Sequence, residues 1–219
     1  MNSFACRLFN VAFLVLALTA CATIPPYKPL IPESGVACPG IFPPKAFRVV
    51  QQIDMKSALI GKGVFIGAAK VEPQKNALHA VLMSAEGMVL FEAEYENGDI
   101  KIISAFPPLN NPAFAKGLMA DVSFVLLKPA GGPVEHGVDG QGLSACRWAA
   151  AEADAVFETA LMPDGAVRMR LYGRDRRVAK ESLAWPPFDR GMPARISLKA
   201  FGPSNYTIEL MLIEMEFVD

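Results

Sequence analysis

Any chemistry in this chain of 219 residues has to come from four cysteines, two histidines and scattered carboxylates and arginines. Cys6, Cys21, Cys38 and Cys146 form no CxxC pair, so neither a zinc site nor a dithiol redox centre is expected. His79 lies inside an alternating, strand-like run and His136 in a glycine-rich stretch, a placement that does not make a metal site. Glu135, His136 and Asp139 are close enough in sequence for an acid–base cluster, but carboxylates beside a loop histidine are common by chance. The GxSxG elbow, the P-loop and the HExxH motif are all missing. The basic run VRMRLYGRDRRVAK (167–180) could meet anionic headgroups or a partner. Its alternation instead puts Arg168 and Arg170 on the solvated side of a strand, opposite Val167, Met169 and Leu171. No enzyme activity, cofactor or metal is expected.

That leaves the thiols, and Cys21 has the most telling surroundings. It closes an apolar run whose core, VAFLVLAL, is eight residues long, while a membrane-spanning helix needs about 20. Arg7 precedes the run and the small residues Thr19 and Ala20 follow it, the layout of a secretory signal peptide. Leu18-Thr19-Ala20-Cys21 resembles the lipobox of bacterial lipoproteins. That resemblance implies cleavage before Cys21, a diacylglyceryl group on its thiol and an acylated amino terminus. Two or more acyl chains make a durable anchor, because each buried methylene contributes about 0.8 kcal/mol. Ala22, rather than an aspartate, follows the cysteine, which points to the periplasmic face of the outer membrane. Cys38 and Cys146 then remain in a compartment that permits disulfides, and a bridge between them is expected; the alternative is two separate buried thiols.

The expected organisation is a signal peptide over 1–20, a lipidated proline-rich tether over 21–46 and one folded domain over 47–219. Residues 22–46 contain seven prolines, which favour stiff extended segments over helix or central strand. From Phe47 onward, short alternating runs are separated by turn signals. Asn97-Gly98 and Pro163-Asp164-Gly165 mark the clearest hairpins. About ten strands are expected, with one wet and one apolar face, the mark of an antiparallel sheet covered on one side. The run in 206–217 slips phase near Met211, which predicts a bulge. Between the two groups of strands, Asn111 and Pro112 open a helix over 113–128 whose apolar face is too broad for a single stripe. Asp121 lies within it, where a carboxylate needs a buried hydrogen bond. Residues 131–143, with five glycines, read as a mobile loop, and 185–193, WPPFDRGMP, as another. The fold class is mainly β (α+β): a curved antiparallel half-barrel with a covering helix.

Lipobox, tether, five strands, a helix and about five more strands resemble the LolA/LolB fold, and also the layout of other bacterial lipoproteins. The clearest local match is the hairpin SAEGMVLFEAEY (84–95). In LolA and LolB an open half-barrel closed by helices holds lipoprotein acyl chains, so the resemblance implies an apolar cavity. LolB-type receptors expose a leucine in that hairpin turn to touch the membrane during delivery. Here Glu86 stands before Gly87, which implies binding without delivery, since a carboxylate is poorly suited to enter a bilayer.

From alternation alone, Phe91, Ile102, Met169, Leu171, Ile196 and Leu198 are the side chains expected to line that cavity beneath the helix. A hydrophobic content of 52% with no membrane-length stretch in 21–219 means that much apolar surface is folded away or kept for an apolar ligand. The nine methionines after Met1 suit an adaptable cavity, though an ordinary core equally well. Nothing in a net charge of −1 suggests nucleic acid. The partners expected are a membrane, through the lipid anchor, and a lipid or acylated partner held in the half-barrel; which protein partner, if any, the sequence leaves open. The alternative is a structural or interaction lipoprotein with a filled core.

Overall fold

The computed structural model describes residues 28–33, 38–57, 61–129, 131–150, 154–202 and 205–218. The expected signal peptide, Cys21 and Ala22 lie outside them.

The first group of strands is β1 (Phe47–Ser57), β2 (Gly61–Glu72), β3 (Ala77–Ser84), β4 (Val89–Glu96) and β5 (Asp99–Ala105). One helix follows, α1 (Pro112–Leu126). The second group is β6 (Glu135–Val138), β7 (Ser144–Ala149), β8 (Val156–Leu161), β9 (Val167–Tyr172), β10 (Val178–Asp189), β11 (Met192–Ala200) and β12 (Tyr206–Phe217). All twelve form one sheet in the order β5-β4-β3-β2-β1-β12-β11-β10-β9-β8-β7-β6. Every pairing is antiparallel, and the long β1–β12 ladder joins the two groups at the middle of the sheet. The sheet is curved and unclosed, and α1 connects its two free edges. That is the half-barrel with a covering helix.

Local chemistry sets the main joints. Asn97 and Gly98 both take positive φ, as the tight β4–β5 turn requires. Asn111 caps α1 by accepting from the backbone N–H of Ala113 at 2.9 Å and of Phe114 at 3.4 Å, and Pro112 occupies the first turn. In β12 the ladder to β1 skips one residue between Leu212 and Glu214, so Ile213 is the bulged residue. Ile208 and Leu210 face inward before the bulge and Met215 after it, which is the phase slip seen in the sequence.

Two strands were not legible. Residues 135–138, inside the stretch expected to be a mobile loop, form β6, and residues 144–149 form β7 beside it. In β7, Ala145, Cys146, Arg147 and Trp148 are all buried, so no alternation of polarity marks the strand. The backbone of Ile31 pairs with Val138 through two 2.9 Å hydrogen bonds. Only glycine fits below that crossing: a Cβ on Gly137 would lie 2.1 Å from the carbonyl oxygen of Ile31. The 185–193 loop is likewise mostly strand, with the ladder interrupted at Pro186-Pro187 and closed around Arg190-Gly191.

The expectation of one wet face fails over β7–β9. Leu30 and Leu143 pack there against Ala145 and Ala160, covering the outer face. Arg168, expected in solvent, is 4% exposed and donates to Asp139 at 2.7 Å and to Gln141 at 2.8 Å. Arg147 donates to Glu158 at 2.7 Å and to Glu135 at 2.9 Å, and the Tyr172 hydroxyl donates to Glu158 at 3.2 Å. Arg170 is half-buried and pairs with Glu181 at 2.6 Å. Within the stretch expected as tether, Leu30 and Ile41 are buried against the body, and the disulfide between Cys38 and Cys146 staples its far half there.

Candidate functional site

The concave face of β1–β4 is built from low and tall residues in register. Gln51 of β1 sits beside Gly67 of β2, Val49 beside Ala69, and Ala69 in turn beside Ala80 of β3. Gly67, Ala69 and Ala80 make a low floor, and Ile53 lies so close over Gly67 that a Cβ there would meet its Cδ1 at 2.6 Å. Above the floor, Phe114, Leu118, Val122 and Val125 of α1 form the roof. Phe106 to Leu109, on the β5–α1 connection, form one wall. Leu198, Ile208 and Leu210 form the wall toward the second group of strands. Between them is an apolar cavity of about 240 Å³. An apolar void of roughly 150 Å³ already accepts a benzene-sized guest.

Of the six residues expected to line a cavity, Phe91 and Leu198 do so. Met169 and Ile196 are fully buried but lie in packed core rather than at the cavity. Leu171 is half-buried against that core, and Ile102 is 39% exposed on the edge strand β5. Ile102 is exposed because β5 is the free edge of the sheet; on the other side of the half-barrel the reason is aromatic packing. Phe157 stacks edge-on with Phe124 at 5.5 Å and with Trp148 at 5.9 Å, and Phe42 approaches it at 6.4 Å. These rings occupy the half-barrel beneath β7–β9 and leave only about 110 Å³ beside Phe42, Trp148 and Phe157, so the larger space lies over the first group of strands. Alternation finds which side chains face inward; it does not reveal which inward faces are already filled.

Two polar side chains reach the cavity. Asp121 of α1 is 6% exposed, sits 2.5 Å from Lys180 Nζ, and accepts from the Tyr206 hydroxyl. This is the buried partner that the sequence demanded for it. Burial first, and the Asp121 carboxylate next, push the Tyr206 phenol far above its ordinary value, so it stays a donor. The cluster ties the roof helix to β10 and β12. Gln51 is the other polar group, also 6% exposed, with its Nε2 buried and without a hydrogen-bond partner among the described residues. Sequence reasoning passed over Gln51 because a glutamine in a strand carries no motif.

Glu135, His136 and Asp139 do not assemble. Glu135 and Asp139 are held by different arginines and His136 is exposed. Burial raises the Asp139 carboxyl, but the backbone N–H groups of Leu143 and Gln141 and the Arg168 guanidinium outweigh it, holding the group below its usual range. His79 pairs with Glu92 at 2.9 Å across β3 and β4. No group of three metal-ligating side chains occurs among the described residues. Glu86 is exposed in its turn, and hydrogen bonds, first from the Ser84 hydroxyl, hold its carboxyl below the usual range. The carboxylate therefore stays charged in the exposed turn between β3 and β4.

No protein-family model matches the chain, and no curated protein matches its sequence. Solved structures do match its shape. A LolA superfamily protein from Nitrosomonas europaea superimposes with a TM-score of 0.55 at 11% identity, covering 81% of this chain and 88% of that one. A DUF1329 family protein from Desulfovibrio piger gives a TM-score of 0.37 at 8% identity, over 79% and 85% of the two chains. The fold is LolA-like.

Proposed function

We propose that this chain is a lipoprotein anchored through Cys21 at the periplasmic face of the outer membrane, and that its half-barrel holds a lipid or the acyl chain of a partner. The observation that carries the binding half of the reading is the apolar cavity between the low floor of β1–β3 and the roof of α1. Small residues in the middle of a sheet leave a space that well-packed cores otherwise fill. The LolA-like fold supports it. The anchor half rests on the lipobox-like Leu18-Thr19-Ala20-Cys21 at the end of a short apolar run.

The binding test uses N-phenyl-1-naphthylamine, a neutral fluorophore that brightens in apolar surroundings. The wild-type protein is expected to bind it and to release it to long-chain acyl compounds. Ala80→Leu grows into the cavity and should weaken binding about tenfold, since excluding two methylene-sized groups of ligand forfeits roughly 1.6 kcal/mol. Its melting temperature should hold, because the added methyls enter empty space. If the interior is instead solid core, Ala80→Leu overpacks it, costs about 1–3 kcal/mol, and no probe binds at all.

The anchor test is metabolic. Radiolabelled palmitate should enter the wild-type protein and not the Cys21→Ala form, which should remain an uncleaved precursor. Equal labelling of the two would end the lipoprotein reading.

A further inference from the structure

We infer that Gln51 selects the ligand, and that the ligand is an acyl chain carrying a neutral carbonyl, as in a fatty ester or amide, whose oxygen accepts from Gln51 Nε2. The inference rests on the cavity being a binding site. Gln51 is 6% exposed in a cavity otherwise lined almost wholly by apolar side chains, and its Nε2 is buried without a partner among the described residues. Buried donors are nearly always paired, because an unpaired one is destabilising. Val49 and Ile53, its neighbours on the same face of β1, are the residue types such a position ordinarily carries. Directly across the strand pair stands Gly67, over which the apolar tip of Ile53 leans, so no polar side chain comes from there to meet the amide. A ligand atom in the cavity that Gln51 lines can do so.

The charge of the lining decides which oxygen. Asp121 is the only ionisable side chain among the lining residues, and its partners Lys180 and Tyr206 already hold it. Among the described residues no cation lines the cavity to accompany an anionic ligand. A fatty-acid carboxylate would sit in apolar surroundings near Asp121 with one neutral donor, which is a poor exchange for water. A neutral carbonyl needs only that donor.

Displacement of N-phenyl-1-naphthylamine from the purified protein compares four guests of equal chain length: dodecane, dodecanoate, methyl dodecanoate and N-methyldodecanamide, with the probe's own Kd measured for each variant. The two neutral carbonyl compounds should bind about tenfold more tightly than dodecanoate or dodecane. The tighter of the two distinguishes a glycerolipid ester from an N-acyl amide as the source. Gln51→Leu, and Gln51→Met as an unbranched alternative, should erase the carbonyl preference while leaving dodecane binding unchanged. Both should also raise the melting temperature of the ligand-free protein, by about 2 °C or more, because an unpaired donor has been removed. Dodecane binding without a carbonyl preference in the wild type would overturn the role of Gln51 and leave the cavity reading intact. Failure of all four guests to bind would overturn both. A preference that survives both substitutions, or a lowered melting temperature in both, would assign Gln51 a structural role instead.

Discussion

Replacing Cys38 and Cys146 together by alanine is expected to lower the free energy of unfolding by about 4–5 kcal/mol. The bridge spans a sequence separation of 108 residues, so breaking it restores to the unfolded chain the entropy of a long open loop. It also frees residues 38–46 from β7. Ile41 is buried in the main core and Phe42 lies against Phe157, so the freed segment uncovers the aromatic cluster that fills the second half of the barrel. In urea, the double variant should unfold at a clearly lower midpoint, with a melting temperature lower by roughly 10 °C. Alkylation of the wild-type protein without reductant should leave both thiols unmodified. If both react freely in the folded protein, the bridge is not its resting state.

Glu158→Gln is expected to cost about 3–5 kcal/mol, although it changes a single atom type on a strand far from the cavity. Glu158 is 2% exposed and accepts from Arg147 Nε at 2.7 Å and from Tyr172 at 3.2 Å, with Arg168 at 3.7 Å. Removing its charge leaves two buried guanidinium groups to share Glu135 and Asp139 alone, and a buried charge that loses its partner keeps its desolvation penalty. Chemical denaturation at neutral pH measures the loss. A change below about 1 kcal/mol would show that water reaches the network. The same network sets an acid limit. The Asp139 carboxyl is held below its ordinary value of 3.8, so the folded state binds that proton less readily than the unfolded state. Its stabilising contribution is fully present above the unfolded value and disappears as pH falls through the folded one. A titration of stability should therefore be flat in this group near neutrality and decline only in strong acid, and Asp139→Asn should flatten that decline.

Charge and sequence pattern together explain why the two halves of the molecule were unequally legible. In β1, β3, β4 and β11 the alternation of inward and outward residues survives, because only one face of the sheet is covered there. Asn97-Gly98, Asn111-Pro112 and the phase slip around Met211 also act locally: a turn, a cap and a bulge are dictated by a few neighbouring residues, and each sits where the sequence placed it. In β7–β9 a stretch of chain from near the amino terminus lies over the outer face, and both faces are buried. Alternation there no longer separates inside from outside, so β7 carries no strand pattern and Arg168, at an outward position, is buried all the same.

A mainly β half-barrel with a covering helix, the turns that join its strands, and a buried partner for Asp121 all follow from periodicity or from the chemistry of adjacent residues. Tertiary structure alone decided that Lys180 and Tyr206 are that partner, that Arg147 and Arg168 are buried among carboxylates, and that the cavity lies over Gly67, Ala69 and Ala80 rather than over Met169 and Ile196. Those outcomes depend on which distant segments share space. Phe42, Phe124, Trp148 and Phe157 come from separate parts of the chain and meet only in the fold, and their meeting occupies one half of the barrel while the larger cavity lies in the other.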